Sequence, residues 1–128
     1  MTPKIAVVDD DAGIRRAMKD LLRSLGHEVE QFSSAEQFLE WVRANQASCI
    51  ITDVRMPGIG GIELQARLHA QGRPIPMIFM TAFPDENEKA RVLNAGAIGF
   101  LTKPIAQKSL IECLTRAFAV SNGAYTWV

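Results

Sequence analysis

The stretch Ser48-Cys49-Ile50-Ile51-Thr52-Asp53-Val54-Arg55-Met56-Pro57-Gly58 limits what this chain can become more than any other. A short apolar run without alternation fits a parallel strand covered on both faces. Here the run leads straight into an acid, and a Pro-Gly turn follows. Open α/β sheets bind ligands in the crevice outside the carboxyl ends of their strands. Asp53 is therefore either a helix cap or a reactive carboxylate, and the remaining residues have to choose.

The flanking segments supply the sheet. Lys4-Ile5-Ala6-Val7-Val8 reads as a strand followed at once by Asp9, Asp10 and Asp11, and Asp11 suits a helix N-cap. Ile14, Met18, Leu21, Leu22 and Leu25 then recur at helical spacing, with Arg15, Arg16, Lys19 and Arg23 expected to point outward. Gly26 suits the helix end, because glycine tolerates a positive φ. His27 to Phe32 reads as a more polar strand at or near an edge. Ser34 with Gln37, or Ser33 with Glu36, forms a capping box for a helix through Arg43.

After Asp53 and the loop Gly58-Ile59-Gly60-Gly61, the residues Ile62, Leu64 and Leu68 mark a third helix ending near Gly72. Met77 to Thr81 is a fourth strand, and Pro84-Asp85 opens a short polar helix that ends at Asn94-Ala95-Gly96. Ile98-Gly99-Phe100-Leu101 is a fifth strand running into Thr102-Lys103-Pro104. The last helix places Leu110, Ile111, Leu114, Ala117 and Phe118 on one face. Five strands alternating with five helices through short connections predict a doubly wound parallel sheet. Right-handed crossovers then bring every strand's C-terminal end to one edge.

Composition removes several function classes. The 128 residues suffice for one domain with a sizeable core. Net charge is zero, with 14 basic and 14 acidic side chains, which argues against direct nucleic-acid binding by this chain. No apolar run approaches the roughly 20 residues of a membrane span, and the N-terminus lacks a signal-peptide layout. A cytoplasmic location is expected. Cys49 and Cys113 fall inside a predicted strand and helix, where buried free thiols are expected.

The strand ends carry the chemistry. Strand one ends in Asp9 and Asp10, strand three in Asp53, strand four in Thr81 and strand five in Lys103. Clustered carboxylates repel one another unless a cation neutralises them. Hard oxygen donors with open positions suit Mg²⁺, which keeps several waters and favours a bound phosphate. A carboxylate can attack phosphorus and hold an aspartyl phosphate. Lys103 and a metal would offset charge on the transferred group.

Val8-Asp9-Asp10, Asp53-Val54-Arg55-Met56-Pro57-Gly58, Met80-Thr81-Ala82 and Lys103-Pro104 together resemble the receiver domain of two-component response regulators. The Asp53-Val54-Arg55-Met56-Pro57 run is most similar to receivers that precede helix-turn-helix output domains. The resemblance implies the flavodoxin-like strand order 2-1-3-4-5, for which a chemotaxis receiver is a standard example. It implies phosphorylation of Asp53 by a sensor histidine kinase, followed by a switch of the helix 4–strand 5–helix 5 surface toward an output domain or a second copy. It assigns Mg²⁺ to Asp10, to Asp9 mainly through water, to Asp53 and to the backbone carbonyl of Arg55. Thr81 and Lys103 would contact the phosphoryl group, Phe100 would be the switch aromatic, and the Lys103-Pro104 bond would be cis. Such a chain would catalyse its own phosphotransfer and dephosphorylation without being a turnover enzyme.

Other readings compete. An aspartyl-nucleophile phosphatase usually has a second acid two residues past the nucleophile, where this chain has Arg55. A flavin carrier would want Ser, Thr and Gly after strand one, where three acids stand. Asp9 and Asp10 could be surface acids, Phe100 could be plain packing, and His27 and His69 read as exposed polar residues. Phe83, two residues past Thr81, either shields the phosphoryl group or covers the next helix. Residues 1–120 are expected to form the receiver, and 121–128 a tail or a linker stub to an output domain.

Overall fold

The computed structural model describes residues 4–121. Five strands alternate with five helices: β1 (Lys4–Val8), α1 (Ala12–Ser24), β2 (Glu28–Phe32), α2 (Ala35–Val42), β3 (Cys49–Asp53), α3 (Gly61–Ala70), β4 (Met77–Thr81), α4 (Glu86–Asn94), β5 (Gly99–Thr102) and α5 (Gln107–Ser121). All pairings are parallel, in the order β2-β1-β3-β4-β5, as the resemblance implies. β2 is an edge strand and the most polar one, with only Phe32 fully buried.

Alternation sends successive strand residues to opposite faces of the sheet. Ala6, Val8, Ile50 and Phe79 face a layer formed by Phe38 and Val42 of α2, Leu64 and Leu68 of α3, and Val92 of α4. Ile5, Val7, Ile51, Ile78 and Met80 face Met18 and Leu22 of α1 and Leu110, Leu114 and Ala117 of α5. The central strands are thus sealed on both sides, which explains why their sequences lack alternation.

The caps follow local chemistry. Asp11 accepts from the Ile14 N–H at 3.0 Å. Ser34 accepts from the Gln37 N–H at 3.1 Å, while the Gln37 side chain reaches past the cap to the Ser33 N–H at 3.0 Å. Gly26 has φ +91°, as a left-handed helix end requires. At the start of α3, a Cβ on Gly61 would run into the Asp53 carbonyl and the side chains of Phe79 and Thr52. Glycine there lets α3 begin directly against β3.

Packing departs from the sequence expectation at several positions. Arg15 does not point outward: it is half-buried and its Nη1 donates to the Asp9 carbonyl at 2.7 Å. His27 is half-buried, tilted against Phe118 with ring centroids 5.1 Å apart. On α5 the buried face includes Cys113 in place of Ile111, which is exposed. Both cysteines are free and buried, as expected. The residues beyond Ser121, including the Tyr125-Thr126-Trp127-Val128 tail, lie outside the described residues.

Candidate functional site

Four of the five strands end by releasing a polar side chain onto the same edge. Asp9 follows β1, Asp53 closes β3, Thr81 closes β4 and Lys103 follows β5. Carboxylate oxygens of Asp9, Asp10 and Asp53 all lie within 4.8 Å of one another. Asp9 is completely buried, Asp10 exposed and Asp53 partly open. The cluster therefore has one fixed inner carboxylate, one partly open carboxylate and one outer carboxylate facing solvent.

Lys103 ties the inner pair together. Its Nζ donates to Asp9 Oδ2 at 3.0 Å and to Asp53 Oδ2 at 2.8 Å. Burial alone would lower the ammonium pKa, but the hydrogen bonds and charges of Asp53 and Asp9 outweigh it and hold the group above its ordinary value. Asp9 shows the opposite balance. Burial pushes its carboxyl above the ordinary value, against the Asp11 N–H at 2.9 Å and the Lys103 ammonium, which pull it down. One lysine does not neutralise three acids. The deficit in positive charge is what makes this edge a place for a cation.

Asp53 has its two oxygens in different duties. Oδ1 accepts from the Arg55 N–H at 3.1 Å, and Oδ2 is held by Lys103. The donors are hard oxygens grouped closely enough to share one ion, so the residues present fit a divalent cation of the Mg²⁺ kind. The Lys103-Pro104 bond is cis, as the resemblance implies.

Thr81 lies farther along the same rim, and Phe100 sits back from it within β5. Met80 pairs with Asp53, so Thr81 lies one residue beyond that carboxylate, with its hydroxyl accepting from the Phe83 N–H at 3.1 Å. Phe100 pairs with Phe79 in the sheet and is half-buried against the α2–α3–α4 layer rather than beside the carboxylates. The Phe83 side chain is 75% exposed. Beside Lys103 opens an apolar groove of about 540 Å³, lined by Ile14, Leu21, Met80, Pro104 and Ile105.

Sequence reasoning missed three contacts: Arg15 on the Asp9 carbonyl, Arg55 on α4, and Gln65, which is buried and donates to the Val92 carbonyl at 3.2 Å. A helix-start arginine next to an acidic loop was the one available hint for the first. The other two depend on how separate elements meet.

The family model described as the response regulator receiver domain matches residues 5–115. This chain belongs to the response regulator receiver domains. Response regulator protein TodT of Pseudomonas putida is 37% identical over 117 residues, covering 91% of this chain and 52% of TodT. Transcriptional regulatory protein FixJ of Bradyrhizobium diazoefficiens is 39% identical over 126 residues, covering 97% of this chain and 62% of FixJ. The solved structure of response regulator StyR superimposes with a TM-score of 0.89 at 40% identity, over 98% of this chain and 64% of that one. The chain spans about half the length of the curated relative TodT. As a receiver, the domain works in phosphorylation-based signal transduction, and its carboxylate edge takes on a specific meaning.

Proposed function

We propose that Asp53 accepts a phosphoryl group from the phosphohistidine of a sensor histidine kinase, in a step that needs Mg²⁺. The observation that carries this reading is the arrangement at Asp53: a partly open carboxylate held by Lys103 at 2.8 Å and by the Arg55 N–H at 3.1 Å. An Asp53 oxygen forms a bond to phosphorus as the donor's N–P bond breaks, and the departing imidazole keeps the electron pair. Asp9, Asp10, Asp53 and the Arg55 carbonyl would hold the metal, which supplies positive charge to the transferring oxygens. Lys103 already sits between Asp9 and Asp53, so a short shift of its Nζ offers the ammonium to a phosphoryl oxygen. Thr81 donates its hydroxyl proton to another oxygen, and Ala82 is small enough to leave room for the group. Positioning and charge compensation are most of what phosphoryl transfer asks of a protein.

Phosphorylation then shifts a pre-existing equilibrium between resting and active arrangements. Phe100, which carries no hydroxyl, responds by packing alone. The α4–β5–α5 surface is the readout, engaging an output domain or a second copy of the chain, in a cytoplasmic regulator of transcription. Residues 1–120 form the receiver, and residues 121–128 form a tail or a linker stub. The receiver promotes its own phosphorylation and dephosphorylation and turns over no separate substrate.

Acetyl phosphate with Mg²⁺ should add one phosphoryl group to the wild-type chain by intact mass, and none to Asp53→Asn. Persistence of the modification in Asp53→Asn would remove Asp53 from the role. Release of product from generic phosphate esters would instead favour the aspartyl-nucleophile phosphatase.

A further inference from the structure

Arg55 is bound at both ends, and its two attachments belong to different parts of the site. Its backbone N–H holds Asp53 Oδ1 at 3.1 Å. Its guanidinium crosses to the β4–α4 loop, where Nη1 donates to the Phe83 carbonyl at 3.3 Å and Nη2 lies 2.9 Å from Glu88 Oε1. That Glu88 oxygen is buried and makes no hydrogen bond, so the arginine is its charge partner through an ion contact. The same Phe83 residue uses its N–H on the Thr81 hydroxyl at 3.1 Å. Asp53, Arg55, Phe83 and Thr81 thus form a continuous chain of contacts from the acceptor to the hydroxyl that would engage the phosphoryl group. Asp85, which caps α4 through the Asn87 and Glu88 N–H groups, fixes the far end of that loop.

We infer that Arg55 is a positioning residue. Its side chain straps the β4–α4 loop in the resting arrangement and so holds back the engagement of Thr81 with the acceptor. The inference deepens the assignment of Asp53 and Thr81 made above and rests on it. An arginine suits this task because its planar fork serves the Phe83 carbonyl and the Glu88 carboxylate together, which the single ammonium of a lysine does not. Releasing either end of the strap frees the Phe83 peptide, so Thr81 reaches a phosphoryl oxygen at lower cost.

The strap can be told apart from the plain electric field of these charges. Arg55→Ala removes a positive charge near the carboxylates and Glu88→Gln removes a negative one, so a field effect would move the two variants in opposite directions. A strap moves them in the same direction. Amide hydrogen exchange of Phe83 in the unphosphorylated full chain should quicken about two- to five-fold in each variant, the range of a partly exposed ion pair. Phosphorylation of Asp53 by acetyl phosphate should quicken by a similar factor in Glu88→Gln. The double variant should be no faster than the singles, since a strap cut once has no second end to cut. Opposite shifts in the two variants, unchanged Phe83 exchange, or strictly additive effects would overturn the strap. Failure of wild-type Asp53 to take a phosphoryl group would instead overturn the underlying site assignment, and the exchange measurement, which needs no phosphoryl group, would still decide the strap.

Discussion

Asp9→Asn should make the metal-free receiver more stable while disabling its chemistry. Asp9 is fully buried, its Oδ2 lies 3.0 Å from Lys103 Nζ, and it shares the edge with Asp10 and Asp53 within 4.8 Å. At an effective dielectric of about 20, the Lys103 contact is worth roughly 5 kcal/mol, while repulsion from Asp53 returns about 3–4 of these. Exposed Asp10 adds a smaller, screened repulsion, and desolvation of a buried carboxylate costs several kcal/mol more. The sum is unfavourable. Asparagine keeps the shape and can still accept from the Asp11 N–H, and Lys103 keeps its bond to Asp53. A gain of about 1–2 kcal/mol at neutral pH in chelator is expected, at the low end for replacing buried charges because one lysine contact is lost.

The pH dependence carries a definite sign. Burial raises the Asp9 carboxyl pKa in the folded chain, so between the ordinary and the raised value the native state binds more protons than the unfolded one. The Asp9 contribution to wild-type stability therefore becomes less unfavourable as pH falls through the folded pKa, and the advantage of Asp9→Asn shrinks over that window. Urea denaturation with chelator at several pH values measures both effects. Saturating Mg²⁺ should reverse the ranking, because the metal stabilises the wild type through the carboxylate it has kept. A less stable Asp9→Asn protein in chelator would refute the charge accounting.

Mg²⁺ itself should raise wild-type stability by about 2.7 kcal/mol at a hundred times its dissociation constant, and Asp10→Asn should lose most of that increment in the same urea titration. Gly61→Ala should destabilise by about 1–3 kcal/mol, since the new methyl meets the Asp53 carbonyl, and thermal unfolding would register it. Gln65→Ala removes the 3.2 Å bond to the Val92 carbonyl, which keeps the Ala97 N–H at 2.9 Å, and should cost about 0.5–1.5 kcal/mol, read as faster hydrogen exchange in α4 before global unfolding. Burial pushes the Cys49 thiol well above its ordinary pKa, so a thiol reagent should find neither cysteine in the native protein and both of them in urea.

Local chemistry was legible wherever it was decided locally. The Cys49-Ile50-Ile51-Thr52 run fits a sealed strand, Asp11 suits its cap, Ser34 with Gln37 is one of two capping boxes on offer, and short connections bring Asp9, Asp53, Thr81 and Lys103 to one edge. Strand order came from the family resemblance, because hydrophobic periodicity says which residues are covered and not which strand lies next. Side chains that bridge elements were invisible for the same reason. Arg15 and Arg55 look like solvated charges until the fold puts the Asp9 carbonyl near one, and the Phe83 carbonyl and Glu88 near the other. His27 reads as polar surface until α5 brings Phe118 against it. Ile111 and Cys113 show that position around the helix, and not apolarity alone, chooses the buried face.

The central claim is that the carboxylate at position 53 becomes an acyl phosphate. Borohydride reduces an acyl phosphate to an alcohol, converting the modified aspartate to homoserine, and leaves unmodified carboxylates alone. Receiver treated with acetyl phosphate and Mg²⁺, reduced and digested, should carry homoserine at position 53 and retain aspartate at positions 9 and 10. Homoserine at either of those neighbours, or none at position 53 after the intact mass has shown phosphorylation, would contradict the account.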